Sequence, residues 1–220
     1  MIVQIYEVRS AAEAAALAAC GVEHIGVLVG DGAFPREIAP AAARRIFAAC
    51  LPATVCVALS LSDEAAAIDR VIAETQPDII HLGAAPELFS PAATATVKTR
   101  HRGVRVMRSV PVVDQASVAI ARAYEGIADF LLLDSHVPGD RQVGALGRTH
   151  DWTISRRIVD RVRLPVILAG GLGPDNVAAA IAAVGPAGVD SKTRTDAGGG
   201  GSKDLDAVRA FVAAAKATPA

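Results

Sequence analysis

The chain has 220 residues, of which 52% are hydrophobic, enough to fill a sizeable core. Its formal net charge is −1, so no overall basic charge favours nucleic acid or an anionic membrane surface as a partner. The longest apolar runs have the length of a strand, well short of the roughly 20 residues that a membrane span needs. The first residues lack a signal-peptide pattern, and Cys20, Cys50 and Cys56 lie among apolar residues. We therefore expect a cytoplasmic protein with reduced thiols.

A repeating unit runs along the chain, formed by a short apolar run, a turn and an alanine-rich helical stretch. The apolar runs are continuous rather than alternating, which is typical of parallel strands covered by helices. The predicted strands are Ile2–Tyr6, His24–Val29, Thr54–Leu59, Asp78–Leu82, Val104–Val110, Asp129–Asp134, Pro165–Ala169 and Gly188–Ser191.

Amphipathic helices are predicted between the strands, most clearly at Ala39–Ala49, Asp63–Thr75 and Pro174–Val184. Side chains that can accept the free N–H groups of a helix start precede four of the helices. These predicted N-caps are Ser10, Ser62, Asp114 and Asp151. Eight strand–helix units at this length predict an α/β protein, a single (βα)8 TIM barrel over residues 1–220.

The ligand site of such a barrel lies in the loops that follow the strands. Gly170 and Gly171 follow the seventh predicted strand, and glycines let backbone N–H groups approach an anion closely. The loops after the last two strands are the usual phosphate site of this fold. A small phosphorylated ligand is therefore predicted, although the glycine pair alone also fits a simple turn. The eighth loop adds Ser191, Lys192, Thr193 and Arg194.

Four further residues are candidates for the mouth of the barrel. Asp134 follows the apolar residues 130–133, and apolar surroundings would raise its pKa and suit it to general acid catalysis. Its alternative role is to cap the loop that follows. Arg36 follows a glycine-containing loop and can hold a carboxylate in a bidentate manner, or else lie in solvent. His81 and Arg108 end two more strands and are predicted to bind substrate.

Three stretches, Leu131–Ser135, Gly147–Trp152 and Ile167–Leu172, resemble the phosphoribosylanthranilate isomerase family, barrel enzymes of tryptophan biosynthesis. The similarity covers nearly the whole chain, and the second stretch is the most specific because the family carries Gly-Lys/Arg-Thr-Phe-Asp-Trp there. The resemblance implies an Amadori-type isomerisation of a phosphorylated sugar derivative. It makes Asp134 the general acid and Arg36 the ligand of the anthranilate carboxylate. No cofactor or metal is predicted.

The chain departs from the family pattern at three places, which indicates a changed substrate. The family begins with Lys-Ile-Cys-Gly, whose cysteine is its general base, whereas this chain has Tyr6 and Glu7 at the last two positions. Glu7 or Tyr6 would then be the base, and tyrosine is a poor one because its ordinary pKa is about 10. The family's Gln-Leu-His-Gly is replaced by Ile-His-Leu-Gly at residues 80–83. Its Ser-Ser-Gly-Val-Glu is replaced by Lys-Thr-Arg-Thr-Asp at residues 192–196.

Several functions remain open on this pattern. One is a faithful isomerase, and another is a divergent sugar-phosphate enzyme, either an isomerase, an epimerase or an aldolase with a Schiff base on Lys192. A third is a sugar-phosphate binder without catalysis. We favour an isomerase of the aldose–ketose type and expect Lys192 to bind charge rather than form an imine. The expected assembly is a monomer or a homodimer.

Overall fold

A computed structural model of the protein describes residues 1–144, 146–198 and 201–218. Its eight strands are all parallel, and each pairs with the next along the chain. The first strand also pairs with the last, so the sheet closes and the predicted (βα)8 barrel is confirmed. The strands are β1 (Ile2–Ile5), β2 (His24–Leu28), β3 (Val55–Ser60), β4 (Ile79–Leu82), β5 (Arg105–Pro111), β6 (Phe130–Asp134), β7 (Val166–Leu168) and β8 (Gly188–Ser191).

A helix follows each strand and covers the outside of the barrel. The helices are α1 (Ala11–Ala19), α2 (Pro40–Ala48), α3 (Ala65–Thr75), α4 (Pro91–Arg100), α5 (Ala116–Arg122), α6 (Trp152–Arg161), α7 (Val177–Val184) and α8 (Leu205–Ala217). A short 3-10 helix, Thr193–Thr195, lies between β8 and α8. None of the helices in the described part of the chain is long and apolar enough to cross a membrane.

The buried apolar side chains form two clusters, because successive residues of a strand point to opposite faces. The larger cluster lies between strands and helices and includes Leu131, Leu133 and Ile158. The smaller one fills the inside of the barrel. Its members are Tyr6, Val57, Ile79, Met107, Phe130, Leu132, Ile167 and Ala169.

Two of the four predicted helix caps are confirmed. Ser10 accepts the N–H of Glu13 at the start of α1, and Asp151 accepts that of Thr153 at the start of α6. Ser62 is not a cap, because α3 begins only after Glu64 and the Ser62 hydroxyl accepts the N–H of Glu64 in the preceding turn. Gln115 occupies the cap position predicted for Asp114, whose carboxylate still accepts the N–H of Ala116.

Candidate active site

A cavity of about 170 Å³ opens at the C-terminal ends of the strands. Part of its wall is apolar, formed by Leu28, Phe34, Pro35, Leu59, Leu61, Leu132 and Val143. A smaller cavity of about 40 Å³ lies beside it, between the loops after β7 and β8. Asp134, Asp190 and Lys192 line both cavities, so one ligand can extend from the larger cavity into the smaller.

The smaller cavity has the character of an anion cradle. Gly170 and Gly171 have φ values of +87° and +62°, and a Cβ atom on Gly171 would lie 2.9 Å from the carbonyl oxygen of Gly147. Only glycine therefore fits at Gly171 without strain. Within the described residues, the N–H groups of Gly171, Thr193 and Arg194 have no acceptor in the protein. Free backbone donors around a small cavity are suited to a phosphate group.

The predicted side-chain ligands of phosphate are mostly engaged elsewhere. The Arg194 guanidinium donates to both carboxylate oxygens of Asp175, each at 2.7 Å. The Ser191 hydroxyl donates to the carbonyl oxygen of Leu172 at 2.7 Å. These two side chains hold the loops together rather than face a ligand. Backbone N–H groups and the residues Lys192 and Thr193 are therefore what the cradle offers.

Lys192 lines both cavities, and its ammonium contacts a carboxylate inside the larger one. Its Nζ lies 2.6 Å from Glu7 Oε1, and Nη1 of Arg36 lies 3.1 Å from Glu7 Oε2. Each oxygen of Glu7 thus has its own cation, and the Glu7 side chain is only 12% exposed. This pairing agrees with the expectation that Lys192 binds charge, and it gives no support to the aldolase alternative.

The backbone at both ends of the Glu7–Arg36 pair is unusual. Glu7 has φ +60° and Arg36 has φ +71°, values in the left-handed region that favours glycine. Non-glycine residues there cost about 1–3 kcal/mol each, and they cluster where a side chain must be held in one place. The strain and the pairing together fix the Glu7 carboxylate within the cavity.

Tyr6 belongs to the barrel interior, a position that gives no support to its predicted role as a base. Its ring packs against Gly26, where a Cβ atom would lie only 2.3 Å from a ring carbon of Tyr6. The Tyr6 hydroxyl lies 2.5 Å from His81 Nδ1. Burial, and then the charge of Asp190, raises the pKa of Tyr6 well above its usual range. The Tyr6 hydroxyl and His81 share a hydrogen bond whose direction follows the tautomer of His81. Burial, and then the charge of Arg108, lowers the pKa of His81 to about 3. His81 Nε2 in turn lies 2.7 Å from the Ser109 hydroxyl.

Two aspartates stand at the boundary between the cavities. Burial raises the pKa of Asp134 to about 6, against the lowering effect of hydrogen bonds from Ser135 and of the Lys192 charge. Burial also raises the pKa of Asp190 to about 8; a hydrogen bond from Gln4 opposes this rise, and the Asp134 charge adds to it. Asp190 was not among the predicted site residues. The signal for it was a carboxyl close to the end of the last strand, one residue before Ser191, much as Asp134 ends the sixth strand.

Arg108, predicted to bind substrate, does not line the cavity in the described part of the chain. On β5 the side chain of Ser109 faces the cavity, so that of its neighbour Arg108 faces the helices. The guanidinium is fully buried and donates to the carbonyl oxygens of Leu82 and Phe89 at 2.6 and 3.1 Å and to the Tyr124 hydroxyl at 3.2 Å. Arg108 therefore ties together β4, the loop after it and the turn that follows α5.

The remaining neighbour of the cradle is His150, where the family pattern has phenylalanine. Its Nδ1 is buried without a partner among the described residues and lies 2.9 Å from the position of a Cβ atom on Gly170. Its Nε2 lies 2.7 Å from the Ser155 hydroxyl. Burial lowers the pKa of His150 to about 4, so a neutral imidazole backs the glycine loop.

Fold and site together define the class of (βα)8-barrel proteins that place an anion cradle beside buried carboxylates. A family model described as "PRAI: N-(5'phosphoribosyl)anthranilate (PRA) isomerase" matches residues 4–214. The chain therefore belongs to the phosphoribosylanthranilate isomerase family, as the sequence resemblance indicated.

Individual relatives agree with this assignment. The N-(5'-phosphoribosyl)anthranilate isomerase of Haloferax volcanii is 40% identical over 218 residues, which is 97% of this chain and 92% of that protein. Monomers of the dimeric Thermotoga maritima enzyme superimpose with a TM-score of 0.80 at 27% identity, over 98% of this chain and 99% of that one. A family structure in complex with reduced 1-(o-carboxyphenylamino)-1-deoxyribulose 5-phosphate gives a TM-score of 0.78 at 26% identity, over 98% of this chain and 99% of that one.

Proposed function

We propose that the protein catalyses an Amadori-type isomerisation of a phosphorylated sugar derivative, from an aminoaldose to an aminoketose. The observation that carries this proposal is the pair of buried carboxyls, Asp134 and Asp190, directly beside the anion cradle. The family relative with a bound phosphorylated ligand supports it. In the proposed complex the phosphate lies in the smaller cavity and the sugar lies against the two aspartates.

The reaction needs an acid that protonates the ring oxygen and a base that removes the proton from C2. Asp134 has the role of the acid, because a pKa of about 6 leaves it partly protonated at neutral pH. Asp190 has the role of the base. Its pKa of about 8 gives it a basicity close to that of the thiol whose place Tyr6 takes, which has an ordinary pKa of about 8.5.

Because the two carboxyls interact, their pKa values belong to the pair. Between about pH 6 and pH 8 the pair holds one proton, which is the number that one acid and one base require. That proton lies mainly on Asp190, so the reactive form is the minor one, in which Asp134 holds the proton and Asp190 is ionised. Glu7 is a base candidate from the sequence, but its two carboxylate oxygens contact the cations Arg36 and Lys192. We therefore assign proton abstraction to Asp190 rather than to Glu7.

A set of synthetic N-(5'-phosphoribosyl)amines tests this proposal, with product aminoketoses followed by NMR. We expect turnover of phosphorylated compounds and none of the same compounds without phosphate. Asp134→Asn and Asp190→Asn should each lower the rate by about 10²- to 10⁴-fold, as expected for loss of a general acid or base. Asp160→Asn, on the outer surface of α6, is the matched control. Wild-type rates in both aspartate variants would contradict the assignment.

A further inference from the structure

We propose that Gln4 is a positioning residue for this reaction, which holds the Asp190 carboxyl at the mouth of the barrel through an uncharged contact. The inference rests on the proposed function, in which Asp190 is the base. It concerns a further departure from the family pattern, because Gln4 stands where the family's Lys-Ile-Cys-Gly begins with lysine.

Three side chains form a hydrogen-bonded chain inside the barrel, from β2 through β1 to β8. Gln4 lies opposite Asp190 in the register of β1 and β8, and its Nε2 donates to Asp190 Oδ1 at 3.1 Å. Gln4 also lies opposite His24 in the register of β1 and β2, and its Oε1 is 3.1 Å from His24 Nδ1. All three side chains are buried. The strand register therefore places residue 4 between the carboxyl and the imidazole.

The direction of each hydrogen bond in this chain follows from the groups themselves. A carbonyl oxygen only accepts, so His24 Nδ1 carries the hydrogen and donates to Gln4 Oε1. Burial, and then the charge of Arg105, lowers the pKa of His24 to about 4, so this imidazole is neutral. The amide of Gln4 is thus held with its N–H groups toward Asp190 Oδ1. The proton that Asp190 gains and loses belongs to Oδ2, which has no hydrogen-bond partner among the described residues.

The charges around Asp190 leave the balance to residue 4. Burial raises the pKa of Asp190 to about 8, and the Asp134 charge adds to the rise. The hydrogen bond from Gln4 and the more distant charges of Lys203 and Lys192 oppose it. A lysine at position 4 would put an ammonium directly opposite the carboxyl. An opposite charge within about 4–6 Å lowers a carboxyl pKa by about 1 to 3 pH units.

The replacements at positions 4 and 6 fit each other. Gln4 and Tyr6 point to the same face of β1, because they are two residues apart. Tyr6 stands where the family has its cysteine base, and the pKa of this buried phenol is raised well above its usual range. An uncharged residue at position 4 keeps the basicity of Asp190 close to that of the missing thiol, whose ordinary pKa is about 8.5.

Carbon NMR of protein labelled with [γ-13C]aspartate tests the inference without a ligand. The signal of Asp190 is the one lost in Asp190→Asn, and in the wild type it should titrate near pH 8. Gln4→Lys should lower this midpoint by about one pH unit or more, because it adds the opposing charge. Gln4→Met should raise it, because the hydrogen bond that favours the carboxylate is lost. Gln76→Lys, at the exposed C-terminal end of α3, adds the same charge away from the mouth and should leave the midpoint unchanged.

The pH profile of kcat/KM for N-(5'-phosphoribosyl)anthranilate separates this inference from the proposed function. Its alkaline limb should follow the Asp190 midpoint, to lower pH in Gln4→Lys and to higher pH in Gln4→Met. If Gln4→Lys does not fold, Gln4→Met gives the test alone. A midpoint that stays at the wild-type value in the Gln4 variants, or moves the other way, would overturn the inference and leave the proposed function in place. Midpoints that move while the limb stays fixed, or a wild type without turnover, would overturn the proposed function and the inference with it.

Discussion

Replacement of Asp190 by asparagine should make the protein more stable than the wild type, by an amount that grows as the pH rises. In the unfolded chain this carboxyl has its ordinary pKa of about 3.9 and is ionised from about pH 5 upward. In the folded protein, burial raises its pKa to about 8, so it keeps its proton up to that pH. The folded state therefore binds more protons between these values, and its stability falls as the pH rises through this range.

The size of the effect follows from the same linkage. Each pH unit in this range removes about 1.4 kcal/mol of stability, so about 4 kcal/mol is lost between pH 5 and pH 8. Asparagine has the shape of the neutral acid and no proton to lose, and its side-chain oxygen can still accept the hydrogen bond that Gln4 donates to Asp190 at 3.1 Å. The variant should therefore escape this loss. The pKa of Asp134 is raised less, to about 6. The gain in stability from Asp134→Asn should therefore be smaller and should stop growing near pH 6.

Urea unfolding of the wild type and Asp190→Asn at several pH values from 5 to 8 measures this directly. The difference in free energy of unfolding should grow by about 3–4 kcal/mol over that range and level off above about pH 8. Asp160→Asn, whose partner Arg156 lies on the exposed face of α6, should show no such growth. A difference for Asp190→Asn that stays constant from pH 5 to 8 would refute the account of this buried carboxyl.

Three other substitutions separate structural from ligand-binding roles. Tyr6→Phe should lower stability by about 1–3 kcal/mol, because His81 loses its buried partner, while turnover persists; a rate loss as large as that of an acid–base variant would contradict this. Gly171→Ala should weaken inorganic phosphate binding by tenfold or more in calorimetry, because its Cβ would lie 2.9 Å from the Gly147 carbonyl oxygen; unchanged affinity would exclude the cradle. Arg108→Met should destabilise the fold by about 3 kcal/mol, because two buried carbonyl groups lose their donor; a weakened phosphate affinity in the folded variant would restore the ligand-binding role.

The barrel could be predicted because its signals are local. Each predicted strand lies within one residue of its observed ends, since continuous apolar runs bounded by turns mark buried parallel strands. Gly170 and Gly171 were recognisable for the same reason, because their conformational freedom is a property of the residue itself.

The pairing of the site's charges could not be predicted, because it depends on contacts between distant parts of the chain. Lys192 contacts Glu7 where β8 pairs with β1. These are the last and the first strands, so the two residues lie far apart in the sequence. Arg194 meets Asp175 across two loops. The position of Arg108 depends on which face of β5 points inward, and the sequence marks no difference between Arg108 and Ser109 in that respect.

Measurement of kcat/KM for N-(5'-phosphoribosyl)anthranilate from pH 5 to 9 examines the Asp134–Asp190 pair during turnover. We expect a bell-shaped profile with limbs near pH 6 and pH 8, because the pair must hold one proton. No turnover at any pH, or a rate that stays flat across this range, would contradict it.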